Sequence, residues 1–420
     1  MEVYILIAVL LVFAFGVLLF KLPAGVSLML ASVTGTLLAG EGIPLRHLIE
    51  GSFGFLEAIM IIATAMIYMK ALSATGVLPT ISYGMIRYLY RYPVVLMIVI
   101  MLFIMFPGML TGLSSACILT TGALVLPALL AMGMDKRTAG SMVAMGAVLG
   151  EVAPPISIPV MIIGGGVDMP YIGFTGPLLI ATMPLAVIYA VYFRYRHLKD
   201  FNVEEVLERL EKPVYSEYGF RLFVPIILVI GYMTAEILFP VVIPHIGVPL
   251  VFIIGTITAV GSGRKFKFLE ISRSALRDAM PVMSILVGVG MFLQVLTLTG
   301  VRGMVAVSAL QLPEEIKYLI ALIMPFFGSA YASASVIGVP LVYVFIGKNS
   351  IVVTAALALL AALGDLMPPP SLLCAYAGQM VGEKNHFSIL RKSIPLIILG
   401  LAAAILMIIF AAEIGSFLGL

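Results

Sequence analysis

The sequence predicts an all-α polytopic membrane protein made of two inverted-topology repeats, each with about five transmembrane helices and one re-entrant hairpin, with broken helices at mid-membrane. Three observations carry this reading. Of the 420 residues, 62% are hydrophobic and 11% charged, and the mean hydropathy is +1.18, so there is too little polar surface to cover a water-soluble globule. Apolar runs near the ~20 residues needed to span a bilayer recur from Val3 to the C-terminus between short polar loops. Landmarks of the first half also return, in order, in the second.

Gly150 to Ser157 reads GEVAPPIS and Gly364 to Ser371 reads GDLMPPPS, at an offset of 214 (364 − 150 and 371 − 157). The same offset sets Ser115, within GLSSA, on Ser329, within GSAYASAS. Upstream, ATGV at Ala74 to Val77 resembles LTGV at Leu298 to Val301, and Gly25-Val26 resembles Gly247-Val248. Residues 1–195 and 221–420 therefore read as the two repeats. The hydrophilic stretch 196–220, with EEVLERLEK, reads as a cytoplasmic linker helix between them.

In the first repeat the pattern predicts spans at 3–20, 24–40 and 54–75, hairpin arms at 93–106 and 113–131, and spans at 138–164 and 172–194. The second predicts 222–239, 246–261 and 279–298, arms at 316–326 and 330–347, and spans at 351–378 and 393–412. The first segment has neither a basic start nor a small-residue cleavage site, so it reads as a retained helix.

Lys and Arg mark the cytoplasmic side. One loop of the second repeat carries Arg264, Lys265, Lys267, Arg273 and Arg277, whereas its counterpart has Arg46 against Glu41 and Glu50. Another carries Lys384, Arg391 and Lys392 against Asp168 alone. Equivalent loops thus face opposite sides of an inner membrane, which inverts the repeats and places both termini outside. Arg194, Arg196 and Lys199 then fall inside, as do Arg87, Arg91, Lys136 and Arg137. With Arg91 and Lys136 on one side, the segment between them must enter and return. Its tip is predicted at Phe106 to Ser115, where Pro107, Gly108 and Gly112 break the helix, and the second tip at Pro325 to Ser335.

Irregular backbone at membrane depth survives only when packed in protein or lining a cavity. The two tips and the breaks at Gly150 to Pro155 and Gly364 to Pro369 are such places, with Pro154-Pro155 and Pro368-Pro369 predicted to open new half-helices. Half-helix N-termini suit an anionic group such as a carboxylate, and the preceding carbonyl ends suit a small cation. Candidate substrate contacts are Ser114, Ser115, Pro154, Pro155, Ser329, Ser333, Pro368 and Pro369. Candidate ligands for a coupling ion, Na+ or H+, are Gly112, Gly150, Glu151, Gly328, Gly364 and Asp365. Glu151 and Asp365 read either as cation ligands or proton acceptors, or as caps of the following half-helices. The serines read either as ligand contacts or as tip and packing hydrogen bonds.

Other polar residues read more plainly. Lys70 and Arg302 suit snorkelling at span ends, Cys117 and Cys374 suit small core residues, and His47, His197, His245 and His386 fall in loops. No HExxH, acidic metal cluster or serine with a nearby base suggests an enzyme, and no cofactor beyond the coupling ion is expected.

The run GLSSACILTTGALVLPALLAMGMDKRTAGSMVAMGAVLGEVAPPISIPVMIIGG, followed by a Gly- and Pro-rich turn and a span ending in FRYR, resembles the large membrane subunit of TRAP transporters, DctM-like, within the ion transporter superfamily. The most specific pieces are the Gly/Ser/Ala tip, the element from Pro127 to Met132-Gly133, and the PPISIP element at Pro154 to Pro159. The resemblance implies an elevator mechanism, with scaffold spans at 1–91 and 221–300 and hairpin and transport parts at 92–195 and 313–420. It implies Na+-coupled uptake of a small organic acid, such as a C4-dicarboxylate, sialic acid or similar carboxylate. It also implies a small four-helix membrane subunit and a periplasmic substrate-binding protein. The family's tip and break positions fall on Gly112, Ser114, Ser115, Gly150, Pro154-Pro155, Gly328, Ser329, Gly364 and Pro368-Pro369. Glu151 and Asp365 depart from the apolar residue usual after the break glycine, and GSAYASAS is a less typical tip. The alternative within the superfamily is a stand-alone Na+- or H+-coupled carboxylate or anion transporter, or a Na+/H+ exchanger.

Overall fold

Long apolar sequence in lipid must satisfy its backbone amides and carbonyls internally, and the helix does so within one segment. The computed structural model describes every residue except 198–200, 240–241, 328 and 369–370, and the described residues form helices and turns with no strand. Lys199, Gly328 and Pro369 of the sequence reading lie outside the described residues. Among the described residues, seven helices are long and apolar enough to cross a membrane, and six further apolar helices are shorter.

In chain order come α1 (Glu2–Leu18), α2 (Ala24–Leu38), α3 (Leu45–Ser52), α4 (Leu56–Thr75), α5 (Val77–Leu89) and α6 (Pro93–Thr111). The returning arm of the hairpin is α7 (Ser114–Cys117), a π-helical turn at Ile118–Gly122, and α8 (Ala123–Ala131). Next are α9 (Lys136–Val152), α10 (Ile158–Gly166), α11 (Thr175–His197), and two short linker helices, α12 (Val203–Glu208) and α13 (Tyr215–Tyr218). The second half has α14 (Val224–Leu238), α15 (Val248–Ser262), α16 (Phe268–Leu298), α17 (Val301–Leu310), α18 (Glu314–Ile323), α19 (Ala330–Ser333) and α20 (Val339–Val344). It closes with α21 (Ser350–Leu363), a tight turn at Gly364–Leu366, α22 (Leu372–Val381), α23 (Phe387–Ile409) and α24 (Ala411–Leu418).

Packing in the two halves is reciprocal. Helix α2 lies on α16 while α15 lies on α4, and α9 lies on α22 while α21 lies on α10. The second hairpin packs on α10, and the first on α22.

Contacts at the helix ends fix the directions of the broken helices. Arg137, at the start of α9, pairs with Glu383 just after α22 at 2.8 Å; this bond holds the half-buried Glu383 carboxyl below its ordinary range. Asp168, just after α10, pairs with Arg302 at 2.8 Å, and Arg302 also reaches the Tyr343 hydroxyl at the end of α20 at 2.7 Å. Lys348, just before α21, donates to the Ile409 carbonyl at the end of α23 at 3.2 Å. Hence α9 begins on the face where α22 ends, and α10 ends on the face where α21 begins. The two broken helices run antiparallel.

The first hairpin is held arm to arm. Gly108 N–H donates to Cys117 Sγ at 3.0 Å, and Thr121 Oγ1 donates to the Ile104 carbonyl at 3.2 Å, a register that only arms running in opposite directions give. Cys117 is thus a fixed part of the packing.

Several expectations are revised. Helix α6 continues through Pro107 and Gly108 and breaks only at Gly112, whose φ of +67° suits glycine. Proline within the helix is accommodated because Thr111 Oγ1 donates to the Pro107 carbonyl at 2.8 Å and Cys117 takes the Gly108 amide. Pro154 and Pro155 do not open a half-helix: α10 starts at Ile158 with Pro159 in its first turn. Pro368 likewise precedes α22, which starts at Leu372. A proline disfavours helix for the residue before it, and Ala153 is extended; a proline also lacks an amide that would need a partner, so these residues suit linkers at depth. The linker 196–220 is not one helix. Its chain is pinned by Val214 N–H on Thr80 Oγ1 at 3.1 Å and Glu211 on Arg264 at 2.6 Å. Lys70 is paired with Asp278 at 2.7 Å and Arg302 with Asp168, so neither merely snorkels. His47 lies in α3 and His197 closes α11, not loops.

Antiparallel broken helices make a labelling prediction. Single cysteines at Lys136 and Lys384 should react with a membrane-impermeant maleimide from one side of the membrane, and those at Ile172 and Ile346 only from the other. Labelling of all four from one side would contradict the geometry.

Candidate functional site

The centre of the fold is set by two helices enclosed by protein on every side. From Thr138 to Val152 every residue of α9 is buried, and so is every residue of α21 from Val352 to Leu363. Helices apolar all round belong in such places, yet each ends in an acid, Glu151 and Asp365.

Close approach at these ends depends on glycine. A Cβ on Gly150 would come within 2.6 Å of the Met105 carbonyl oxygen and 2.8 Å of its Cα, and one on Gly364 would come within 3.0 Å of the Pro325 carbonyl oxygen. Each hairpin's first arm therefore presses directly on the break of its own half.

Both tips then meet at Asp365. Its Oδ1 accepts from the Ala330 amide at 2.7 Å, at the second tip, and its Oδ2 accepts from Ser114 Oγ at 3.1 Å, at the first. Tyr331 closes the ring by donating its hydroxyl to the Gly112 carbonyl at 3.2 Å. Glu151 is fully buried and faces Asp365, Tyr331 and Ser114. Neither of its oxygens has a hydrogen-bond partner.

Among the described residues, two of the five buried hydroxyls without a partner lie at the breaks, the others being Ser82, Ser272 and Thr354. Ser157, before α10, and Ser371, before α22, are both 0% exposed and neither Oγ has a partner. They occupy the last position of the two octapeptides at offset 214. The Ser157 amide instead donates to Tyr171 Oη at 2.9 Å, and that hydroxyl donates to the Pro155 carbonyl at 3.1 Å.

The structure thus gathers Gly112, Ser114, Glu151 and Asp365, with Gly150 and Gly364 behind them. Ser115 and Ser329 are half-buried. Ser333 is committed to the Met324 carbonyl at 2.8 Å, which is the packing reading. Pro154 is buried, and Pro155 lines a cleft of about 550 Å³ between α4 and α10, together with Phe55, Glu57 and Tyr171. Pro368 is exposed. Tyr331, Ser157 and Ser371 were missed as site residues, although Tyr331 is the one aromatic in the second tip motif and the two serines close the repeated octapeptide. Among the described residues, no group of three or more His, Cys, Asp or Glu is placed to hold a metal ion.

Helices long and apolar enough to span a membrane, combined with a helical hairpin and two opposed broken helices, define a multi-pass membrane protein. The chain belongs to the DctM component family of tripartite ATP-independent periplasmic transporters, whose family model matches residues 11–413. It is accordingly a transporter component and not an enzyme; in TRAP systems the DctM component works with a small membrane subunit and a periplasmic binding protein. The fold is similar to that of the YdaH transporter of Alcanivorax borkumensis, at a TM-score of 0.62 and 15% identity, covering 92% of this chain and 97% of that one. It is also similar to MtrF of Neisseria gonorrhoeae, at a TM-score of 0.59 and 13% identity, covering 88% of this chain and 84% of that one. No curated protein matches by sequence.

The glycine contacts predict a stability difference. Gly150→Ala should cost about 1–3 kcal/mol through overpacking, read as a lower unfolding temperature in detergent. Gly231→Ala, where a Cβ meets nothing within 4 Å, should cost nothing.

Proposed function

We propose that this chain is the large permease subunit of a TRAP-type secondary transporter, an inverted-repeat elevator in the inner membrane that couples uptake of a small organic acid to a cation gradient. The observation that carries this reading is the meeting of both tips and the second break at Asp365, beside an unpartnered buried carboxylate. A permanent structural core has no use for an orphaned charge, whereas a site that loads and unloads a cation does.

In this reading α1 to α5 and α14 to α17 are the scaffold, and the hairpins with α9 to α11 and α21 to α23 move. The cleft between α4 and α10 is the path between the two parts, and Ser157 and Ser371, with their orphaned hydroxyls, are the residues that precede the amide ends of α10 and α22. Such ends favour a carboxylate, which fits a C4-dicarboxylate, sialic acid or similar anion. Na+ is the coupling ion that the family resemblance implies. With both termini outside, Lys136 and Lys384 face the cytoplasm. The Arg302–Asp168 bond joins scaffold to moving part and would have to break as they slide.

Reconstitution tests the proposal. Proteoliposomes holding the chain with its small membrane subunit should accumulate labelled C4-dicarboxylate or sialic acid when given the binding protein and an imposed Na+ or H+ gradient. MtrF is described as one of a class of antimetabolite efflux pumps, so release from loaded vesicles is measured alongside. Movement indifferent to both gradients overturns coupled transport; full uptake without the binding protein favours the stand-alone reading.

A further inference from the structure

The buried acids differ in one respect that the family assignment does not explain. Asp365 is bonded by an amide and a hydroxyl, whereas Glu151, its neighbour, has nothing. An unpaired, fully buried carboxylate is among the costliest groups a protein can hold, and normally it acquires a counter-charge or loses its own.

Among the described residues no counter-charge is at hand. The titratable groups that face Glu151 from the elements packed around it are Asp365 from the turn after α21, Tyr331 from α19 and Cys117 from α7. No Lys, Arg or His is among them. The hydrogen donors at the centre are also already committed: Ser114 O–H and Ala330 N–H to Asp365, and Tyr331 O–H to the Gly112 carbonyl. Two adjacent carboxylates in a dry site do not both ionise, and a proton between them removes the repulsion.

We infer that Glu151 binds a proton, standing as a carboxylic acid whose O–H donates to the Asp365 carboxylate, and that this proton is loaded and released as the tips close and part. A carboxylate oxygen has two lone pairs, so Asp365 can accept this bond beside those it already takes. Release is simple acid dissociation: the Glu151 O–H bond breaks, water takes the proton, and Glu151 is left as a carboxylate exposed by the opened tips. The role in the cycle rests on the coupled-transport reading; the bound proton does not. It adds H+ to the ions that drive the carrier, whatever Na+ the tips also hold.

Infrared spectroscopy of the full-length protein in lipid vesicles tests the bound proton directly. At neutral pH a carboxylic-acid C=O band should be present, should shift when glutamate carboxyls are labelled with ¹³C, and should be lost in Glu151→Gln. The label needs no substitution, so the test survives a variant that fails to fold. Absence of the band, a band unmoved by the label, or its loss on adding NaCl at constant pH overturns the inference. In Na+-free proteoliposomes an inward proton gradient should drive accumulation by the wild type. Glu151→Gln, fixed in the proton-loaded form, should abolish the gain that the gradient gives over downhill movement measured in the same vesicles; an unchanged ratio of gradient-driven to downhill movement overturns the inference. An intact, label-shifted band with no transport under any gradient would count against the transport reading and leave the proton site standing.

Discussion

In hydrocarbon, a backbone amide or carbonyl that leaves its helix has no water to turn to, so every interruption in this chain must be answered by another part of the chain. The interruptions are gathered rather than scattered. Each tip supplies what the other elements lack: Asp365 takes the Ala330 amide and the Ser114 hydroxyl, and Tyr331 takes the Gly112 carbonyl. Loss of any one partner would strand a polar group at a depth where stranding costs several kcal/mol.

That mutual dependence explains the packing around it. The tips can touch only if the arms come close to the broken helices, which is why glycine stands at 150 and 364, against Met105 and Pro325. Hydroxyls inside the helices mostly bond back along their own chain, as Thr182 does to the Leu178 carbonyl at 2.7 Å and Ser32 to the Leu28 carbonyl at 2.7 Å. A few join separate elements, such as Ser141 and Ser393, whose Oγ atoms are 2.8 Å apart. The hydroxyls of Ser82, Ser272 and Thr354 also lack a partner, but the orphaned oxygens of Glu151, Ser157 and Ser371 are the ones gathered at the two breaks.

Much of this was legible in the sequence because it is written in residue types that have few other uses. A glycine, an acid and paired prolines recurring at an offset of 214 located both breaks, and the apolar runs located the long spans. What the sequence hid was decided by partners distant along the chain. Pro107 looked like a helix breaker, but Cys117 and Thr111 let the helix pass through it. Arg302 looked like a snorkelling end residue, yet its partners are 134 and 41 positions away. Short amphipathic helices such as α5 gave no span-length signal, and the linker was broken up by bonds to Thr80 and Arg264 that no local pattern announces.

The equivalence of Glu151 and Asp365 in sequence also conceals a difference in kind. Two repeats with identical surroundings would give both acids the same bonds, and the pair would be symmetric. The surroundings are not identical, because both tips approach Asp365: Ser114 reaches it from one half and the Ala330 amide from its own, while Glu151 lies beside Tyr331 and Asp365 with no donor paired to its oxygens. One acid is thereby anchored by two donors, an amide and a hydroxyl. The other is left with a single neighbour able to use a proton on it. Two like groups of the repeated octapeptides thus stand together at the centre, and small departures from symmetry are enough to give them different bonds: one holds the tips together, and in the inference drawn above the other changes its charge.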